Sequence, residues 1–187
     1  MRVFFAVEFE DNLKEYLNNI QKEVRQHCSA GNFTLKENFH LTLRFIGEQN
    51  QSQTDDLKMA LKETATNISA FELMLNKLGS FDKGNRKIIW AGLQKSPGLD
   101  ALYNKLENVL VKHGYKREDR GFNPHITLAR EVRIEGYENL VNKVKLDSLA
   151  VKVKSISLME STRIDNKLCY MPIARYELDI LANKLIK

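Results

Sequence analysis

The chain has 187 residues, enough for one compact domain or two small lobes, and for a core that needs neither disulfide nor metal to hold it. Hydrophobic residues at 43%, charged residues at 28% and only three prolines exclude a disordered, collagen-like or low-complexity chain. The net charge of +5 favours an anionic partner such as nucleic acid or a phosphate ester, although the basic residues are spread along the chain as on any solubilising surface.

Arg2–Glu8 opens with a β-branched and aromatic run and reads as a strand; it has no apolar stretch or small-residue cleavage site of a signal peptide. Asp11 or Asn12 is a candidate cap for a helix in which Leu13, Tyr16, Leu17, Ile20 and Val24 build one apolar stripe. A short strand is expected at 33–35 and a firmer one at 40–46, then a helix from Thr54 with Leu57, Ala60, Leu61, Ala65 and Ile68 on its buried face. Strands at 71–79 and 87–93 follow, joined through the turn residues Asp82-Lys83-Gly84-Asn85. Ser96 suits an N-cap, Pro97 a first helical position and Gly114 a helix end, with Leu99, Leu102, Tyr103, Leu106, Val109 and Leu110 as the stripe between. Beyond it lie a strand at 125–130, a short helix at 137–144, and long strands at 149–161 and 169–179. A phase change between Ser155 and Ser157 marks an expected bulge in the first of these. Helical stripes of this kind need sheets to cover, which implies an α+β protein of mainly antiparallel sheet with no linker dividing it.

No apolar run approaches the ~20 residues of a membrane span, and Cys28 and Cys169 alone make neither a disulfide framework nor a zinc site. A cytoplasmic protein with no membrane attachment is the expectation.

One short pattern repeats. His40-Leu41-Thr42-Leu43 returns as His125-Ile126-Thr127-Leu128, each copy in a predicted strand. About 0.15 His-x-Thr triplets would arise by chance at this composition, so one copy means little and two matched copies a great deal. In a strand, successive side chains alternate faces, so Leu41 and Leu43 enter the core while His40 and Thr42 point together the other way. The second copy does the same with His125 and Thr127. An imidazole beside a hydroxyl suits a phosphate: the hydroxyl donates to a non-bridging oxygen and the imidazole exchanges protons. Two such strands facing across a cleft would set one imidazole on each side of a phosphorus atom. A metal site fits poorly, because neither motif holds a carboxylate or thiol and threonine is a weak zinc ligand. His27 and His113 fall near helix ends and are expected at the surface, without a catalytic part.

These residues resemble the two-histidine phosphoesterase superfamily, and within it the LigT-like RNA 2′,3′-cyclic phosphodiesterases, or 2′-5′ RNA ligases. The resemblance extends over nearly the whole chain, through Arg2–Val7, Asn38–Gly47, Leu78–Phe81, Ile89–Gly92, Phe122–Arg130, Ile156–Ser161 and Tyr170, with Arg44 where lysine is common. It implies a single bilobal domain over residues 1–187, two pseudo-symmetric antiparallel sheets around a central cleft with helices outside, and one His-x-Thr motif per lobe. It also implies metal-independent hydrolysis of an RNA terminal 2′,3′-cyclic phosphate to a 2′-phosphate by a cofactor-free monomer. His40 is assigned as general acid and His125 as general base, an order that the near-identical motifs do not themselves fix. Thr42 and Thr127 would hold phosphate oxygens, and Arg130 would neutralise the phosphate or grip the neighbouring nucleotide, provided the strand ends or twists there; an ideal strand would turn Arg130 away from His125. Phe45, Phe122 and Arg44 are candidates for base stacking or backbone contact, with ordinary surface charge as the other reading of Arg44 and core packing the expectation for both phenylalanines. Other readings of the same residues are action on a different phosphodiester, such as a 2′-5′ linked oligonucleotide, and a non-catalytic RNA-binding module.

Overall fold

Two antiparallel sheets hold the strands of residues 1–179, the part of the chain that the computed structural model describes. The first has the order β3 (His40–Glu48), β1 (Arg2–Glu8), β8 (Ser155–Ile164), β9 (Lys167–Glu177). The second runs β2 (Ala30–Phe33), β6 (His125–Arg133), β5 (Arg86–Leu93), β4 (Phe71–Lys83), β7 (Ala150–Val153). Each sheet therefore carries one His-x-Thr strand, β3 in the first and β6 in the second.

Among the described residues four α-helices cover the sheets: α1 (Asp11–Gln26), α2 (Gln51–Ala65), α3 (Pro97–Lys112) and α4 (Tyr137–Lys143). The aliphatic residues of the α1 and α3 stripes are buried as their spacing predicts, while Tyr16 and Tyr103 are half-buried. Ser96 Oγ accepts from Leu99 N–H at 3.4 Å to cap α3, with Pro97 in the first turn and Gly114 in the left-handed conformation past the end. Helix α2 begins at Gln51, earlier than Thr54, because Asn50 and Gln53 cap each other reciprocally. Glu10, not Asp11 or Asn12, takes the N-cap position of α1, without a side-chain bond.

The expected long strand at 149–161 is two strands in two sheets. Val153 still pairs with Phe71 of β4, whereas Ser155 already pairs with Glu177 of β9, so the chain crosses between sheets at Lys154. Ser155 to Met159 are all buried, as befits a strand that is covered on both faces, and this crossing lies behind the phase change seen in the sequence. Central strand β1 is likewise enclosed: Val3, Phe5 and Val7 enter the main core, while Phe4 and Ala6 form a small cluster with Met159, flanked by Tyr170.

Both motif strands carry a bulge at the same place. Between β1 and β3 the register steps from Ala6 opposite Thr42 to Phe5 opposite Arg44, leaving Leu43 as the extra residue. Between β5 and β6 it steps from Trp90 opposite Thr127 to Ile89 opposite Ala129, leaving Leu128. An extra residue shifts the two-residue side-chain period by one. The third residue after each threonine, Phe45 or Arg130, thus regains the face of that threonine; both are exposed, whereas Leu43, Leu128 and Ala129 are buried.

The second bulge has a dedicated support. Gln21 is a polar residue in the buried stripe of α1, and its side-chain amide donates to the carbonyls of Leu128 and Thr34, each at 2.7 Å. The Leu128 carbonyl also accepts from Thr34 N–H at 2.9 Å. Gln21→Leu fits the helix but removes this donor from two enclosed carbonyls. It is expected to lower unfolding stability by about 1–3 kcal/mol, read as a lower urea midpoint at unchanged slope.

Candidate active site

Strands β3 and β6 approach each other across the cleft between the sheets. The imidazoles on them are held in the same way. His40 Nδ1 lies 2.7 Å from the Asn38 carbonyl oxygen, and His125 Nδ1 lies 2.7 Å from that of Asn123. A carbonyl only accepts, so in each ring Nδ1 keeps the proton and Nε2 is the nitrogen left to exchange one. His40 Nε2 is 2.9 Å from Thr42 Oγ1, which donates to it while the ring is neutral.

The supports of these rings come from neighbouring strands. Asn38 is buried, and its side chain donates to Leu168 O at 2.7 Å and accepts from Tyr170 N–H at 3.1 Å, tying the carbonyl that orients His40 to β9. His40 packs against Phe4 at 4.9 Å between centroids and edge-on against Tyr170 at 4.9 Å. His125 meets Phe81 edge-on at 4.9 Å and Trp90 at 6.1 Å. The Trp90 ring lies over Gly79, where an added Cβ would come within 2.0 Å of it, so only glycine fits beneath the tryptophan.

Burial disfavours the charged form of both imidazoles. It pushes His40 down to about 4, with the positive charges of Arg130 and His125 adding to the effect. His125 is lowered as well, by burial and then by Arg130. With no anion between them, both rings are neutral at pH 7; a phosphate in the cleft would favour the imidazolium form again.

The cleft beside His40 encloses about 740 Å³, lined by Arg2, Phe4, His40, Thr42, Phe45, Arg130, Ser161, Thr162, Arg163, Leu168 and Tyr170. A second hollow of about 230 Å³ contains His125 with Arg44, Tyr103, Glu118, Arg120, Phe122 and Asn123, and it shares Thr42 and Phe45 with the first. The two hollows thus adjoin at Thr42 and Phe45, one histidine in each. Arg130 lines the larger one and its Nη2 lies 3.4 Å from Thr127 Oγ1. The expectation that an ideal strand would turn it away is corrected by the Leu128 bulge.

The other candidates divide. Phe45 is not core: it is 44% exposed on the cleft wall, with the Arg2 guanidinium 4.9 Å above its ring. Phe122 is half-buried and stacks flat on Tyr103 at 4.0 Å. Arg44 is committed elsewhere, paired with Glu118 at 3.0 Å and buried Glu107 at 3.6 Å and donating to the Lys116 carbonyl at 2.7 Å. It clamps the segment that leads into the second motif, and the charge it brings to the His125 hollow is already paired. His113 joins α3 to α2 through Asp56 at 2.8 Å, and neither it nor His27 lines the cleft. Among the described residues no group of three or more His, Cys, Asp or Glu side chains could hold a metal ion.

Sequence reasoning did not single out Asn38, Asn123, Phe4, Phe81, Trp90 or Tyr170 as parts of the site. One signal was available: asparagine stands two residues before the histidine in both copies, Asn38-Phe39-His40 and Asn123-Pro124-His125.

A family model described as the 2′-5′ RNA ligase superfamily matches residues 9–165. The chain is similar to proteins named RNA 2′,3′-cyclic phosphodiesterase. One from Aeropyrum pernix is 34% identical over 67% of this chain and 73% of that protein. One from Methanocaldococcus jannaschii is 25% identical over 94% of this chain and all of that one (100%). Among solved structures, Escherichia coli LigT complexed with 3′-AMP superposes with a TM-score of 0.79 at 26% identity, covering 95% of this chain and 97% of that one.

Proposed function

The chain belongs to the 2′-5′ RNA ligase superfamily, and on that premise we propose that it hydrolyses the 2′,3′-cyclic phosphate at the end of an RNA to a 2′-phosphate. The observation that carries the reading is the matched tethering of the two imidazoles. Each ring is bound through Nδ1 to a backbone carbonyl two residues earlier, which leaves both Nε2 atoms, that of His40 beside the Thr42 hydroxyl, to exchange protons.

In the proposed reaction His125 Nε2 takes a proton from water as the water oxygen bonds to phosphorus. The P–O3′ bond breaks on the opposite side, and the imidazolium of His40 gives its proton to O3′. His40 is the more strongly desolvated ring, and His125 the more open to incoming water, which favours this order. A proton on His40 is readily given up, and the anionic substrate supplies the field that puts it there. Thr42 and Thr127 donate to the non-bridging oxygens, and Arg130 balances charge that builds on them. Two imidazoles move both protons, so the scheme calls for no metal.

A purely RNA-binding role fits less well. Rings that are uncharged at pH 7 before an anion arrives contribute little to holding one, and arginine would do that better.

An oligonucleotide ending in a 2′,3′-cyclic phosphate, incubated in excess EDTA, is expected to yield a 2′-phosphate and a free 3′-hydroxyl. A 3′-phosphate product would mean that O2′ leaves instead, and turnover abolished by EDTA would overturn the proposal.

A further inference from the structure

We propose that the far end of the large cleft, at Arg2 and Arg163, binds the backbone phosphates of the RNA upstream of the reacting nucleotide, so that the enzyme selects oligonucleotides over 2′,3′-cyclic mononucleotides. The inference rests on the hydrolytic reading above and adds to it the course of the RNA chain.

The register of β1 on β3 lays out the cleft floor: Glu8 is opposite His40, Ala6 opposite Thr42, Phe4 opposite Phe45, and Arg2 opposite Glu48. Arg2 stands two strand positions past Phe4, about 7 Å farther from the catalytic end. Strand β8 runs beyond the start of β1, since Glu160 already pairs with Val3, and this overhang brings Arg163 to the same end. Both arginines line the cleft and both are exposed. Neither makes an ion pair among the described residues, whereas Arg44, Arg86, Arg120 and Arg175 all do. Among the described residues no carboxylate lines this hollow.

The chemistry of the substrate decides the rest. With its cyclic phosphate between the imidazoles, the last nucleotide joins the remainder of the RNA only through its 5′ oxygen, so the strand must leave by one end of the cleft. At the His125 end the hollow is lined by Arg44, Arg120 and Glu118, and both arginines are already paired with the Glu118 carboxylate, so their charge is spent on it. Phosphates are attracted instead to the unpaired charges at the Arg2–Arg163 end, and the exposed Phe45 ring between the two hollows offers a stacking face.

The test compares kcat/KM for a 2′,3′-cyclic mononucleotide and for an octanucleotide ending in the same group, at low salt. The octanucleotide is expected to be favoured at least tenfold. In Arg2→Gln/Arg163→Gln, checked for its fold by circular dichroism, that ratio falls toward one. The salt slope of the octanucleotide reaction should flatten by about 0.7 for each phosphate that the variant no longer neutralises. Equal kcat/KM for both substrates, or a ratio that survives the double substitution, overturns the proposal. Anisotropy with a labelled octanucleotide 2′-phosphate reads the track without turnover: the double variant must bind it at least tenfold more weakly. If neither cyclic substrate is hydrolysed, the hydrolytic reading fails, while anisotropy still decides the track.

Discussion

Replacing His40 or His125 with alanine is expected to lower kcat on a 2′,3′-cyclic phosphate by about 10³-fold or more while the fold survives, since a positioned acid or base contributes roughly 10²–10⁴. Both rings face the cleft, so their loss opens solvent-filled space and no cavity in the core. The double variant should be little worse than either single one, because the two protons move in one displacement. The pH profile separates the roles. The reactive form needs His125 neutral and His40 charged, so kcat/KM of the wild type falls on both sides of an optimum. Both imidazoles lie below their ordinary 6.5, His40 at about 4, which sets that optimum on the acid side of 6.5. His125→Ala should flatten the acid limb of the residual activity and His40→Ala the alkaline limb. If the limbs vanish the other way round, the acid and base must be exchanged. Stability responds as well. Between about pH 4 and 6.5 the unfolded chain protonates at His40 and the folded chain does not. The contribution of the neutral ring is thus present above pH 6.5 and lost as pH falls toward 4, and His40→Ala should blunt this acid destabilisation.

The second large effect belongs to Arg130. Arg130→Met is expected to reduce kcat/KM by about 10²–10³-fold, the scale of one lost donor to developing charge. It should also move both limbs of the pH profile upward, because the guanidinium charge helps to hold down both imidazoles. Arg130→Lys keeps the charge and loses the planar fork, so it should preserve the pH profile and recover only part of the rate. A profile that Arg130→Met leaves in place would mean that this side chain does not face the imidazoles in solution.

Much of this site was legible in the sequence. Alternation around His40–Leu43 and His125–Leu128 placed both imidazoles and both threonines on one face of each strand, and the stripes of α1 and α3 announced their buried sides. The bulges were not legible. Nothing in Leu43 or Leu128 distinguishes a bulged residue from a regular one; the extra residue in β6 is supported from outside the strand, by Gln21 of α1 and the Thr34 peptide. Arg130 and Phe45 were misplaced for that reason, each by one step of the strand period. Arg44 illustrates another limit. A charged residue beside a catalytic motif reads as a ligand contact, and only the fold shows buried Glu107 and Glu118 meeting it. The carbonyl tethers are hidden for a simpler reason: a backbone oxygen leaves no mark in the sequence, although the asparagines that carry it recur. Lys154, where one hydrophobic run parts between two sheets, looks like any solvent-facing lysine.

The most direct test of imidazoles on opposite sides of one phosphorus is a crystal structure with a nucleoside 2′,3′-vanadate, whose five-coordinate vanadium stands in for phosphorus at mid-displacement. The expected structure has one apical oxygen within hydrogen-bond reach of His40 Nε2 and the other within reach of His125 Nε2, with Thr42 and Thr127 on equatorial oxygens. Both imidazoles on the same apical oxygen, or vanadium bound away from either ring, would contradict it.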